Sequence, residues 1–557
     1  MRRRLTARTP AGGYTDAPEV AVSEIYNPTS HTRARVAAQV PAEVDVAIIG
    51  AGLGGLMTAA RLAKAGQKVA VFDAHYVAGG CATMFTRGSG EDRVNFDIGL
   101  HYVGACDDKG RIPRLLREVG VEVEWEPLDP DGFDEFVFPD FRFRVPADRD
   151  LYRERLLALF PSEKAGIDRY IRALTEVRVL SRESAPKGWR LGVEALLKAR
   201  LAAWYKGATL GAFLDTCTKD PKLRAVIAGQ NGDYGLGPSK VSLMLHCGLA
   251  NHYFDGAYYP KGGGQIIADR LSEVIEAAGG TIHLRHPVDG VVVEGGRATG
   301  LRYRGQHGAS SVIHAKTVVS NADLKRTLLE LVPDVPAPLK EQAQAWEMGG
   351  AIFLTCLAVK ADLGKLGMGR TNYWQFDGYD FDALYTEGSA LGALPPVRGC
   401  YITSATRKDP TTRHHAPPGV ETVEVMALMP GTAEAWGVDT KDVATPKYRK
   451  AEVYQGHKQR VQDDLVARLE RLFPGSTKEI VHIESATPVT HSRFTGASAG
   501  SGYGLAATPG QFLGNRPGVR SHVPGLYYTG ANTRSGHGIV GALASGVHTA
   551  AAIQKDK

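Results

Sequence analysis

The stretch "VDVAIIGAGLGGLMTAARLAKAGQKVAVFD", Val44 to Asp73, constrains the fold more than any other part of the chain. Val44 to Gly50 is a short apolar run of the kind that forms a strand buried on both faces. Leu56, Ala59, Ala60 and Ala63 then recur at helical spacing, and Gly66 marks the stop. Lys68 to Asp73 is a second buried strand. Strand, helix and strand joined by such short turns predict a parallel β-α-β unit. Gly50, Gly52 and Gly55 spell G-x-G-x-x-G at the first turn, and Gly54 belongs to the same turn. The first glycine permits the turn, the second lets the backbone approach a pyrophosphate, and the third lets helix and strand pack closely. The helix N-terminus that follows attracts phosphate. Asp73, eighteen residues after Gly55, ends the second strand, placed to accept hydrogen bonds from an adenosine ribose and to repel a 2′-phosphate. Gly79 and Gly80 follow at once. A glycine doublet there is either an ordinary turn or room for the backbone to approach a second part of the ligand.

A second G-x-G-x-x-G, Gly536, Gly538 and Gly541 in "RSGHGIVGALASG", lies almost at the end of the chain. It cannot hold its own dinucleotide. The strand-like "GLYYT" stops at Thr529, a loop intervenes, and no second strand follows the helix. What it can do is return to the first unit and offer a helix N-terminus to the far end of a long cofactor. FAD has such an end, because its isoalloxazine ring gains negative charge on reduction.

These segments, with "NFDIGLHYVG", "YYPKGGGQIIADRL", "VVSNAD" and "TPVTHSRFTGASAGSGYGLAATPGQFL", resemble the FAD-dependent phytoene desaturase, carotenoid isomerase and retinol saturase group of the amine oxidase-like flavoproteins. The last segment is most similar to the retinol saturase and carotenoid isomerase branch. Asp73 stands where that group usually has Glu. The resemblance implies an α/β fold in which a Rossmann-type FAD-binding domain is assembled from discontinuous segments, 41–115, 256–335 and 486–557. An α+β substrate domain would come from 116–255 and 336–485. It implies FAD contacts at Gly50, Gly52, Gly55, Asp73, Gly80, Gly530 and the Gly538-Ile539 turn, and a backbone contact from Val288 on the adenine side. It implies a flavoenzyme acting on carbon–carbon double bonds of a carotenoid, retinoid or unsaturated fatty-acyl lipid. Two other readings share the fold: a flavin amine oxidase, for which Tyr527 and Tyr528 would have to form an aromatic cage, and a non-catalytic lipid carrier of the Rab GDP-dissociation inhibitor type.

Candidate proton-handling groups are His101 and Tyr102, in "GLHYVG", and His537, inside the C-terminal loop. The two histidines could equally be a packed core residue and a plain loop side chain. Tyr258 and Tyr259 either wall a cavity or pack in a strand. Trp189, Val193, Leu196, Leu197, Leu201 and Trp204 make an apolar stripe beside Lys187, Arg190, Lys198, Arg200 and Lys206. That stripe is either a core-facing helix or an interfacial one lying on a membrane. Ser162 is expected to cap the helix that follows it, and Pro130 to Pro146 to form a β-meander.

Half of the net charge of +6 lies in the first forty residues, expected to be a mobile arm, and the remainder is nearly balanced, which gives no strong case for nucleic acid. Six scattered cysteines without a C-x-x-C pair suggest neither a disulfide framework nor a metal site. Neither a secretory signal nor a spanning helix is expected, which suggests a cytoplasmic protein with membrane contact left open.

Overall fold

The computed structural model describes residues 39–181, 189–305, 308–386, 394–412 and 414–556. The N-terminal arm, up to residue 38, lies outside the described residues. Two seven-stranded sheets organise the rest.

The first sheet runs in the order Thr281–Leu284, Val69–Asp73, Glu43–Ile49, Ser310–Ser320, Arg297–Arg304, Val288–Glu294. Its central strand is apolar because both faces are covered: Val46, Ala47 and Ile48 are fully buried. Gly295 and Gly296, both at positive φ, turn the antiparallel hairpin between Val288–Glu294 and Arg297–Arg304. The eleven-residue strand Ser310–Ser320 divides one edge between two partners. Its first residues pair antiparallel with Arg297–Arg304, while Val318 to Ser320 pair parallel with Leu526–Tyr528. That vacant half-edge is where the C-terminus joins the N-terminal unit.

The second sheet is antiparallel except at one place. Its order is Ile480–Ala486, Ala351–Val359, Glu421–Met429, Gly399–Thr403, Asn372–Phe376, Asp134–Val137, Arg142–Val145. The expected meander is a hairpin, Asp134–Val137 with Arg142–Val145, and its first strand pairs parallel with the distant Asn372–Phe376. Ser162 is not a helix cap. It lies within the 3-10 turn Pro161–Glu163, and the helix Lys164–Ser181 continues directly from that turn. The proline at the first position favours that tight entry. Helices Lys164–Ser181 and Leu243–Tyr253 pack on each other and share one hydrophobic core with this sheet.

Helix Leu53–Lys64 packs against the C-terminal helix Gly538–Lys555. Small residues make this close approach possible. A Cβ on Gly54 would stand 2.7 Å from the Gly530 Cα and 2.7 Å from Asn321 Oδ1, and one on Gly546 would stand 2.8 Å from the Gly54 carbonyl oxygen. Buried hydroxyls then join the two ends. Thr529 Oγ1, from the C-terminal segment, lies 3.2 Å from Thr58 Oγ1 and donates to the Gly54 carbonyl at 3.4 Å, while within that segment Gly530 N–H donates to Ser545 Oγ at 2.9 Å and Thr549 Oγ1 donates to the Tyr528 carbonyl at 2.9 Å.

Gly54→Ala is therefore expected to destabilise the protein by about 1–3 kcal/mol through overpacking. Gly192→Ala, in the helix Trp189–Lys198, meets nothing within 4 Å. It should stabilise by roughly 0.5–1 kcal/mol through helix propensity. Denaturant unfolding of both variants checks this; equal stability of the two would show that the chain ends are not closely packed.

Candidate functional site

Both glycine patterns open on one cavity of about 2850 Å³ that also reaches the second sheet. At one end Gly50, at φ +93°, turns the chain out of the first strand. Ala51 N–H donates to Asp73 Oδ2 at 2.6 Å, and His75 N–H donates to Asp73 Oδ1 at 2.7 Å, so the carboxylate is fixed beside the turn. Gly79 N–H donates to the Ala51 carbonyl at 2.7 Å, which brings the glycine doublet alongside. Gly79 and Gly80 have φ of +130° and +63°, conformations that an L side chain resists. Gly52 precedes the helix with no side chain capping its free N–H groups.

The C-terminal pattern repeats part of this geometry. A Cβ on Gly55 would lie 2.2 Å from the Gly50 carbonyl oxygen, and one on Gly541 would lie 2.4 Å from that of Gly536. Each sixth residue is glycine because it packs on the first. The middle glycines differ. Gly52 lies in extended conformation before its helix, whereas Gly538, at φ +75°, begins its own with His537 before it. This second helix also starts without a side-chain cap.

Gly50, Gly52, Gly54, Asp73, Gly79, Gly80, Val288, Gly530, Gly538 and Ile539 all line the cavity, as do His101, Tyr102 and His537. Gly55 does not; it serves the strand–helix contact. Tyr258 and Tyr259 are also absent from the wall, and Tyr259 donates a hydrogen bond to buried Asp97. The same holds for Tyr527 and Tyr528, whose hydroxyls donate to Asp556 Oδ2 at 2.9 Å and Ser521 Oγ at 3.0 Å. They form no aromatic cage.

The candidate histidines are neutral imidazoles. Burial, with the Lys408 ammonium behind it, pushes His101 down to about 3, and burial with Arg516 nearby does the same to His537. His101 Nε2 and His537 Nδ1 have no hydrogen-bond partner. The Tyr102 phenol is raised well above its usual range by burial and by two neighbouring aspartates. Its ring lies flat on Tyr253, with centroids 4.6 Å apart. Tyr401 and Trp374 extend this aromatic wall, and Met244, Leu245, Leu249 and Leu354 add apolar lining.

Several residues here escape sequence reasoning. Asn321 is the chief one. Its carboxamide is the near neighbour that a Cβ would meet at Gly52, at 2.8 Å, and at Gly530, at 2.4 Å. The signal was its position directly after a buried strand, in "VVSNAD". Asp134, Asp233 and Tyr503 carry no comparable signal, since their meeting is tertiary.

A profile of the NAD(P)-binding Rossmann-like domain matches residues 48–119. Human all-trans-retinol 13,14-reductase is 30% identical over 548 residues, 93% of this chain and 86% of that protein. Phytoene desaturase (neurosporene-forming) of Cereibacter sphaeroides is 28% identical, covering 89% of this chain and 92% of that one. Chloroplastic prolycopene isomerase of Daucus carota is 26% identical, covering 92% and 80%. Among solved structures, an oxidoreductase from Methanosarcina mazei superposes with a TM-score of 0.59 at 19% identity, covering 92% of this chain and all of that one. Putrescine oxidase bound to putrescine superposes at 0.58 with 17% identity, covering 92% and 99%. The structural likenesses establish a shared fold, and the sequence relatives establish kinship. This chain belongs to the family of enzymes that includes the retinol 13,14-reductases, prolycopene isomerases and phytoene desaturases, within the amine oxidase-like flavoproteins.

Proposed function

We propose that this protein is an FAD-dependent oxidoreductase that adds or removes two hydrogens at a carbon–carbon double bond of a long apolar polyene. The observation that carries this reading is the convergence of two uncapped helix N-termini on one cavity. One ligand with a pyrophosphate and a ring that becomes anionic uses both positive ends. The site fits FAD on its own terms: the glycines leave a cradle that side chains would fill, and His537 offers an unpartnered ring nitrogen at the second helix start. In this reading Gly50, Gly52, Gly54, Gly79 and Gly80 admit the pyrophosphate, Asp73 the adenosine ribose, and Val288 the adenine. Gly530, Gly538 and Ile539 face the flavin. Bound FAD would supply hydride exchange with carbon, which none of the protein's side chains can. The protein's part is to seat an apolar chain against Tyr102, Tyr253, Tyr401, Leu245 and Leu249 while excluding water. The relatives' polyene names support such a substrate.

The exposed stripe supports membrane contact as the route of substrate entry. No helix among the described residues is long and apolar enough to cross a membrane. Leu196, Leu197 and Trp204 are 68%, 75% and 82% exposed, beside exposed Lys198, Arg200 and Lys206, while Leu201 is buried. The Trp189 side chain lies outside what the structure describes. Large exposed apolar groups flanked by cations suit an anionic lipid surface.

Four measurements test these assignments. Gly52→Val should abolish flavin absorbance of the purified, FAD-reconstituted protein; retained stoichiometric FAD overturns the cofactor assignment. Ile539→Pro removes one N–H from the first turn of the C-terminal helix without forbidding the helix. At about 0.3–1 kcal/mol for a helix terminus and about 30 mV per 1.4 kcal/mol, the flavin reduction potential should fall by up to about 20 mV. An unchanged potential with lost adenine-nucleotide binding would put that turn at the phosphates instead. Replacing Leu196, Leu197 and Trp204 by Ser should weaken co-sedimentation with anionic liposomes while flavin absorbance stays intact; unchanged sedimentation excludes this helix as the contact. Product mass after anaerobic incubation with retinoids and carotenoids checks the reaction itself, a gain or loss of two hydrogens being the expected result.

A further inference from the structure

Beside the aromatic wall, a hydrogen-bond chain links the cavity to a buried carboxylate. Asp233 ends the 3-10 turn Asn231–Asp233 and lines the cavity, half-buried. The Tyr102 hydroxyl oxygen lies 2.6 Å from Asp233 Oδ2 and 3.1 Å from Asp134 Oδ2. A phenol has one proton and can donate it to one carboxylate. The other oxygen–oxygen contact is attractive only if the second carboxyl carries a proton of its own and donates it to the phenol oxygen.

The surroundings decide which carboxyl that is. Asp134 is fully buried, yet it receives an amide N–H on each oxygen: Asn372 Nδ2 to Oδ1 at 3.0 Å and Gln230 Nε2 to Oδ2 at 2.8 Å. Those donors stabilise the ionised form. Among the described residues no amide donates to Asp233; its partners are phenols. The order is therefore Asp233 O–H to Tyr102 O–H to Asp134 carboxylate. The electrostatics agree. Burial, then repulsion from Asp134, pushes Asp233 up to about 8, while burial raises Asp134 only to about 6. Asp233 is also tied to the C-terminal glycine loop. Tyr503 donates to the carbonyl of Gly232, and its ring packs edge-on against His537 with centroids 5.5 Å apart.

We propose that Asp233 is a catalytic residue, the acid that delivers a proton to the substrate carbon, with Tyr102 and Asp134 as positioning residues. This rests on the polyene reading above. In the saturating direction one carbon of the double bond takes a hydrogen with its two electrons from the reduced flavin, which is thereby oxidised. The π pair forms a C–H bond at the neighbouring carbon with the proton of Asp233 as its O–H bond breaks. The carboxylate left behind is reprotonated by water. Desaturation runs the same steps backwards, with the carboxylate accepting the proton. The neutral imidazoles of His101 and His537 are poor alternatives, since neither holds an extra proton near neutral pH.

Infrared difference spectra in H2O and D2O and steady-state kinetics of the FAD-loaded protein test this together. Wild type should show a protonated carboxyl band at neutral pH that Asp233→Asn removes. The same variant should keep flavin absorbance and KM while kcat falls about 10²–10⁴-fold, the usual contribution of a general acid. Asp233→Glu should restore both the band and most of the rate, which a purely structural role would not predict. Tyr102→Phe should shift the infrared band and the pH profile of kcat with flavin still bound. A wild-type-minus-Asp233→Asn spectrum with no protonated-carboxyl band, or turnover within tenfold of wild type in that variant, overturns the assignment; Glu424 and Asp269, also raised to about 8, contribute equally to both spectra and cancel. Because the infrared measurement needs no substrate, a band lost in Asp233→Asn without conversion of any polyene overturns the proposed function while upholding the location of the proton.

Discussion

The carboxamide of Asn321 sits where the two ends of the chain meet, and the rest of the structure depends on the space it occupies. Gly52 and Gly54 approach it from the first helix and Gly530 from the C-terminal loop, each so closely that a Cβ would come within 3 Å of its nitrogen or oxygen. Asn321 itself is placed by the central sheet, its N–H donating to the Ile49 carbonyl at 2.8 Å. One side chain at the end of one strand thus sets how near two helix starts can come. Cores at close-packed density do not absorb an added methyl without movement. The glycines of the first pattern, with Gly530, are as much a requirement of this packing as of any ligand.

The packing also explains how a chain can place a second glycine turn near its end and still use it. Strand Ser310–Ser320 gives its last residues to Leu526–Tyr528, and Thr529 N–H continues that edge by donating to the Ser320 carbonyl at 2.9 Å. The C-terminal segment needs no second β-α-β unit because it borrows the first one's sheet. Its helix then lies on Leu53–Lys64 with hydroxyls at the seam, among them Thr58, Thr533 and Ser545, all buried and hydrogen-bonded. Buried hydroxyls without partners would be costly there. The partners come from both chain ends, so neither end completes the seam alone.

What was legible in the sequence follows from this difference between local and tertiary causes. The first β-α-β unit could be read because each signal in it is local: the period changes from strand to helix and back, and the glycines fall at the turns. The return of the C-terminal loop could be argued by elimination, since no strand follows it. The nearness of Asn321 to both turns could not, because it is a consequence of which strands become neighbours. The apolar stripe near Trp204 was ambiguous for a related reason: helical spacing shows that a face exists and says nothing of what covers it. Ser162 misled because a capping residue was inferred where Pro161 had already set a 3-10 entry. The pairing of Asp134–Val137 with Asn372–Phe376 spans more than two hundred residues, and no period in either segment reports it.

The placement of charge around the aromatic wall has a physical logic of its own. An apolar chain lying against an ionised group would strip it of solvent, at a cost that grows as the surroundings become less polar. Here the ionisable groups that form this wall include His101, Asp233 and the phenols of Tyr102, Tyr253 and Tyr401, and each is held neutral: the imidazole far below its usual range, the phenols above theirs, the carboxyl raised. Their charged counterparts stand one layer back. Asp134 lies behind Tyr102, and Lys408 donates to the His101 carbonyl while its ammonium sits over the Tyr259 ring. Asp97 and Glu424, both raised by burial, share the field of that lysine, and Glu424 at about 8 is itself neutral. Burial keeps the front layer neutral and the recessed charges reinforce it, since Lys408 opposes an imidazolium at His101 and Asp134 opposes a second carboxylate at Asp233. A wall built this way presents an uncharged surface to a polyene while keeping one dissociable proton within its reach.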